Sequence, residues 1–171
     1  METAIVSIIC IALVVFGGMT MSRGFMTSVD TSAAGLEEIG HRDETIMRTE
    51  LTPISASLPS VNILEVILEN SGQTKLADFN KWDIIVQYYD GTGTYHVAWL
   101  PHTEAALGDN EWEVAWIQLD GGAEVFEPNV LNPEEEMKIR AQLNPSVGAG
   151  TTNMVIVATP SGVTASTYFS P

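Results

Sequence analysis

Histidine, cysteine and clustered carboxylates are the side chains that most often hold metals or carry nucleophilic and acid–base steps. In this chain the imidazoles are His41, His96 and His102, and the one thiol is Cys10. No two histidines have the H-x-x-x-H or H-E-x-x-H spacing that sets two ring nitrogens on one helix face around zinc. His41 sits among Arg42, Asp43 and Glu44 and reads as a solvated helix residue; His96 alternates within a strand pattern, and His102 follows Pro101 in a loop. Cys10 is flanked by Ile9 and Ile11, so its thiol reads as a small buried apolar group and not as an activated nucleophile. A G-x-S-x-G elbow is missing, and Gly148-Ala149-Gly150 lacks the third glycine of a dinucleotide fingerprint and reads as a loop. The run Glu134-Glu135-Glu136 could ligate a cation with Asn132 or Asp120, but it has no EF-hand register and reads as a solvated loop. Asn144 is followed by proline and Asn70 has glycine two positions on, so neither is an N-glycosylation acceptor. No catalytic residue, metal, cofactor or small-molecule substrate is expected.

The elements that would position chemistry point elsewhere. The chain has 171 residues, 22 acidic against 7 basic side chains, a net charge of -15 and 45% hydrophobic residues. That apolar content can build a core, whereas the acidic balance excludes a nucleic-acid partner, since nothing could neutralise a row of phosphates. A lone cysteine excludes an internal disulfide and a cysteine-rich zinc module. The charge is unevenly spread: 7 acids and 3 bases up to Glu50 give -4, and the 15 acids and 4 bases beyond it give -11.

Residues 3–22, TAIVSIICIALVVFGGMTMS, contain no charge at all. As a helix they would span roughly 30 Å, the thickness of a bilayer's hydrocarbon core. Three readings compete. A secretory signal would carry a basic leader and a small-x-small cleavage site, and neither is seen. A plain membrane anchor ending at Arg23 is compatible with the length. In the third reading, the helix is buried round its whole circumference against copies of itself; a helix apolar all round must be covered by lipid or by protein.

Helical rhythm continues through 24–52, where Phe25, Val29, Ala33, Leu36, Ile39, Ile46 and Met47 recur mostly at steps of three or four. One helix is expected from about residue 2 to about residue 50, with Gly17-Gly18 its weakest point. A simple anchor does not need the amphipathic second half. Small residues such as Gly17, Gly18, Ser22 and Gly24 would let backbones approach closely, although glycine is also common in membrane helices generally.

From Val61 onward, short alternating runs are separated by turns. The expected strands are 61–69, 82–90, 94–100, 111–119, 136–143, 153–159 and 163–169. Trp82, Ile84, Val86 and Tyr88 share one face, as do Met137, Ile139, Ala141 and Leu143, while Glu111 and Glu113 alternate against Trp112, Val114 and Trp116. The continuous run MVIVA suggests a central strand covered on both faces, or one that meets the helix. About seven strands in roughly 110 residues fit an immunoglobulin-like antiparallel sandwich. The fold class is therefore α+β, with a helical segment 1–52, a Pro/Ser hinge 53–60 carrying Pro53 and Pro59, and a sandwich 61–171.

The opening METAIVSIICIALVVFGGM and the phrases VNILEVILENSGQTKLADFNKWDIIVQYYDG, VLNPEEEMKIRAQL and MVIVATPSGVTASTYF resemble the archaellins, filament subunits of the archaeal motility organelle within the type IV pilin-like superfamily. The resemblance implies a precursor whose basic leader a membrane peptidase removes, and the missing leading Lys or Arg reads as a mature chain. It further implies subunits that pass transiently through the cytoplasmic membrane, are handled by the archaellum secretion and assembly machinery, and pack their N-terminal helices into the core of an extracellular homopolymer with the sandwiches outside. The helix-core side chains would then be Ile5, Val6, Ile8, Ile9, Ile11, Leu13, Val14, Val15, Phe16 and Phe25, with Gly17 and Gly18 between them. One departure is visible: many bacterial pilins carry glutamate at the fifth mature position, where this chain has Ile5 and its acid is Glu2. The alternative is a membrane-anchored accessory component, stator-like, or an adhesion pilin whose sandwich binds an envelope partner. An anchored extracytoplasmic enzyme is the remaining reading.

Overall fold

The structure is a computed structural model that describes residues 2–119, 121–123 and 127–171. The chain divides into two compact units, Met1–Asp43 and Glu44–Pro171. Helix α1 runs from Glu2 to Arg48 without a break at Gly17-Gly18. No proline occurs before Pro53, so every residue along α1 keeps its amide donor. The helix ends in a tight turn in which the Thr49 amide donates to the Ile46 carbonyl (3.2 Å), and the Gln73 amide donates to the Arg48 carbonyl (2.7 Å), satisfying an otherwise orphaned acceptor.

Among the described residues nine strands follow: β1 (Leu51–Ser60), β2 (Ile63–Asn70), β3 (Asp83–Tyr89), β4 (Tyr95–Leu100), β5 (Trp112–Leu119), β6 (Gly122–Ala123), β7 (Glu136–Gln142), β8 (Asn153–Ala158) and β9 (Thr164–Phe169), with a 3-10 turn at Phe79–Lys81. One sheet has the order β1-β2-β7-β5-β6 and the other β4-β3-β8-β9, all neighbours antiparallel. Setting aside the two-residue β6, this is the immunoglobulin arrangement, with β1, β2, β7 and β5 as A, B, E and D facing β3, β8 and β9 as C, F and G, and β4 added beside β3.

All seven expected strands are present, shifted by at most two residues at their ends. The hinge is a correction. Residues 53–60 are not a linker but lie within β1, which pairs with β2 from Leu51↔Asn70 to Ser60↔Ile63, and the boundary between the two units falls at Asp43 and Glu44, inside the helix. Pro53 and Pro59 are tolerated because β1 is an edge strand with register shifts between Pro53 and Ser55 and between Ser57 and Ser60. Trp116 is a second correction. A bulge between Val114 and Trp116 advances the alternation, so Ile117 enters the core and Trp116 turns outward beneath the Lys138 ammonium, 5.6 Å from the ring centroid. In β8, Val155 and Val157 are buried, whereas Met154 and Ile156 are only half-buried on the outer face, so one face of MVIVA is covered and not both. Asp120, expected in the turn after β5, lies outside the described residues.

The core is built by the inward face of each strand: Leu64, Val66 and Leu68 from β2, Met137, Ile139 and Ala141 from β7, Ile84, Val86 and Tyr88 from β3, with Trp112 and Leu131 fully enclosed. Asn70 is buried at the end of β2. Its Nδ2 donates to the carbonyls of Thr74 (2.8 Å) and Leu131 (3.0 Å), and its Oδ1 accepts the Gly72 amide (3.2 Å). Gly72 is required there by space, because a Cβ would stand 2.5 Å from the Glu50 nitrogen.

The two outer faces of the sandwich differ in chemistry. On the first sheet, Glu65 accepts from Lys138 (2.9 Å) and Arg140 (3.1 Å), and Arg140 also lies 3.7 Å from Glu113. These bonds, from Lys138 first and then Arg140, hold the Glu65 carboxyl below its ordinary value against the opposing effect of burial.

Replacing Asn70 by alanine removes its hydrogen bonds to the Thr74 and Leu131 carbonyls, of which Leu131 keeps the Leu76 amide, and is expected to lower the unfolding free energy of the sandwich by about 1–3 kcal/mol in urea titrations. Because the Glu65 pKa is lowered on folding, its stabilising contribution is complete above its unfolded value and is lost as pH falls through the folded one. The stability difference between the native chain and E65Q is therefore expected to shrink on acidification below about pH 4.5; a difference that stays constant would show that the ion pairs contribute nothing.

Candidate assembly surface

In an α-helix the backbone satisfies itself, so the side chains decide what medium the helix needs. Along the first half of α1 they are apolar on every side. Ile5, Val6, Ile8, Ile9, Ile11, Leu13, Val14, Val15 and Phe16 are all exposed, Val14 by 75%, as is Phe25 by 73%. Five hydroxyls of this helix are turned inward to its own backbone: Ser7 donates to the Thr3 carbonyl (2.9 Å), Thr20 to Phe16 (3.1 Å) and Gly17 (2.9 Å), Thr27 to Arg23 (3.0 Å), Thr31 to Thr27 and Ser32 to Ser28 (both 2.8 Å). Each hydroxyl thereby enters an apolar surrounding without an unmet donor. By length and composition the stretch Thr3–Arg48 contains a segment able to cross a membrane.

The glycines add an independent constraint. Gly17, Gly18, Gly24, Gly35 and Gly40 each lie in α1, and a Cβ built on any of them would meet nothing within 4 Å. Glycine costs a helix about 0.8–1 kcal/mol relative to alanine, and among the described residues none occupies the space it leaves. Pro53 and Pro59, expected beside these residues as a hinge, belong instead to the edge of the first sheet.

The residues with chemical potential serve local structure. Asp90 closes the β3–β4 hairpin: its Oδ1 accepts from the Thr92 hydroxyl (2.7 Å), the Thr92 amide (2.8 Å) and the Thr94 amide (2.9 Å), and its Oδ2 lies 2.9 Å from His96 Nε2. These partners, the Thr92 hydroxyl foremost and His96 next, hold the Asp90 carboxyl far below the usual carboxylate range. This link joins two residues six apart across a turn and had no motif to announce it. His102 packs edge-on against Trp112 at 4.6 Å, and burial lowers its pKa. Glu135 accepts from the Asn132 amide (2.7 Å) and side chain (3.2 Å), closing its own loop, while Glu136 reaches Gln118 on the outer sheet face. Among the described residues no three metal-ligating side chains converge. Gly148 is a close-approach glycine, its amide donating to the Tyr89 carbonyl (2.8 Å) while a Cβ would collide with the Asp90 carbonyl, so the Gly-Ala-Gly stretch is explained by packing.

The archaeal-type flagellin family profile matches residues 1–169. Among solved structures, the archaeal flagellum of Methanospirillum hungatei strain JF1 aligns over 96% of this chain and 90% of that one, at 12% identity and a TM-score of 0.57. The archaellum periplasmic stator protein FlaG from Sulfolobus acidocaldarius aligns over 71% of this chain and 99% of its own, at 20% identity and a TM-score of 0.51. At these identities the two likenesses concern the fold. Comparison with curated protein sequences finds no match. With the family profile spanning the uncovered helix and the sandwich alike, this chain belongs to the archaeal-type flagellin family.

Proposed function

We propose that this filament subunit polymerises by burying the first half of α1 against the same helices of neighbouring copies, with Ile5, Val6, Ile8, Ile9, Ile11, Leu13, Val14, Val15, Phe16 and Phe25 as the covered side chains and Gly17 and Gly18 as points of close approach. Supporting this is an apolar helix with nothing covering it, whose glycines have no use within the chain. Before assembly the helix resides in the cytoplasmic membrane, and the archaellum's membrane machinery transfers it into a cell-surface filament used for motility. In this role the chain has no catalytic residue, and binds neither nucleic acid, cofactor nor small-molecule substrate.

Energetics separate the two halves of that pathway. Covering ten large apolar side chains is worth on the order of 15–30 kcal/mol against water, which keeps a released subunit out of solution. Lipid covers them equally well, so the step from membrane to polymer draws on packing density and close backbone contact instead. The glycines therefore matter more to assembly than to helix formation. A stator-like accessory role is the second reading, favoured by the shared sandwich fold of the FlaG structure; it predicts a scarce envelope-bound protein rather than an abundant polymer.

Shearing cells is expected to release thin filaments composed of this polypeptide, and their absence together with a permanently membrane-bound chain would overturn the proposal. Gly18→Leu adds a good helix former and should leave α1 and the sandwich intact by circular dichroism. It should nevertheless hold the chain in the membrane fraction and abolish filaments under the electron microscope. Filaments of normal number and length from this variant would show that α1 is not closely packed there.

A further inference from the structure

The outer face of the second sheet is the opposite of the first. Its residues form a grid fixed by strand register: Trp99, Ile85, Ile156 and Ser166 in one row, Val97, Gln87, Met154 and Tyr168 in the next, and Tyr95 beside Tyr89 in a third. Along these four strands the charged residue on the outward face is Asp83, and its Oδ1 is occupied by the Trp99 indole N–H at 2.8 Å. Trp99 is 58% exposed and Tyr168 70%, with Val97, Tyr95 and Tyr89 also open to solvent.

We infer that this face is a second contact between copies in the polymer, seated against the neighbouring subunit; the inference rests on the filament reading. Charge selects the occupant. Each chain carries -15, and on the first sheet the cations Lys138 and Arg140 are already engaged by Glu65 and Glu113. Two such copies repel least where carboxylates are few, and on this grid the one carboxylate among the described strand residues, Asp83, is already bonded to Trp99. Area agrees. With aromatic side chains of roughly 150–250 Å² at those exposures, the five open residues present on the order of 600 Å² of surface, near the roughly 800 Å² per partner of a stable contact. Two of its rings are also held in place, because Tyr95 donates to Gln87 (2.9 Å) and Trp99 to Asp83, which lowers the entropy lost on docking. Met154 and Ile156 supply the last argument: MVIVA has the composition of a strand covered on both sides, and the sandwich covers one. In an open helical polymer the contact is heterologous, so the grid meets a different surface of the neighbour.

The test uses full-length chain in which Cys10→Ala removes the native thiol and Val97→Cys or Tyr168→Cys introduces one on the face. Maleimide labelling is compared between purified filaments and detergent-dissociated subunits. Both positions should label about tenfold more slowly in the filament, as expected where docking excludes water. In a separate chain, Val97→Asp should lower the temperature at which filaments dissociate while the sandwich still unfolds at its native temperature. Equal labelling in both states overturns the inference and leaves the filament reading standing. Protection seen only on whole cells, and lost in purified filaments, overturns it in favour of an envelope partner. A native chain that forms no filaments removes both.

Discussion

Cover for a helix that is apolar round its whole circumference is the condition on which the rest of this molecule depends. Intrahelical bonds satisfy the backbone, and the hydroxyls of Ser7, Thr20, Thr27, Thr31 and Ser32 are satisfied by the same turns, so neither exerts a pull toward water. Two surroundings meet the condition, a bilayer and a bundle of like helices, and the hydrophobic effect scarcely distinguishes them. On the proposed reading, that near-equivalence is what would let one segment be a membrane helix at one stage and a polymer core at another. What discriminates is short-range fit, which explains why glycines that weaken the isolated helix are placed where no neighbour within the chain needs them.

The sandwich is organised around a different demand: it must crowd against copies without pairing with them through its edges. An exposed edge strand is a template for further strands. Here β1 carries Pro53 and Pro59 and two register shifts, which interrupt the ladder it could offer. Strand β9, at the end of the second sheet, lies against β1 and so has an edge sheltered by its own chain. Subunits of this kind can stand close together along a polymer while contact is confined to side chains. The same prolines that suggest a hinge by composition thus serve the opposite end, in a strand whose first residues follow directly on a capped helix terminus.

Much of this was legible in the residues, and the failures have physical causes. An uncharged stretch followed by steps of three and four defines α1 to within two residues of its C-terminus, because helical period and absence of proline are both strong signals. The alternating runs from Trp82 and Met137 specify their buried faces correctly for the same reason. Strand β1 was illegible because PISASLPS is poor in β-branched residues and rich in turn formers; its pairing is set by β2 beside it and not by its own preference. The bulge that reverses Trp116 leaves no mark in a period-two reading. As for the assembly surface, the sequence specified that α1 needs cover, whereas the identity of that cover came from likeness to a family, since spacing alone does not separate lipid from protein.

Charge placement ties the two units to one mode of growth. The first 22 residues carry a single acid, Glu2, so burial of that part of α1 is almost insensitive to ionic strength. The sandwich has the converse character. Its cations are engaged locally, Lys138 and Arg140 by Glu65 and Glu113 on one sheet face, Lys75 by Glu127 and Lys81 by Asp78, leaving an excess of carboxylates that repel across the Debye length of about 8–10 Å at ordinary salt. On the proposed reading, helix burial is strong and little affected by charge, and the sandwiches meet neighbours where carboxylates are sparse. On the same reading, cohesion comes chiefly from the first term, and the second contributes to orientation. On that reading, a subunit docked with its acidic surfaces facing those of a neighbour would gain the same helix burial but meet the repulsion in full, so sandwich charge adds a constraint on geometry to the close fit of the helices.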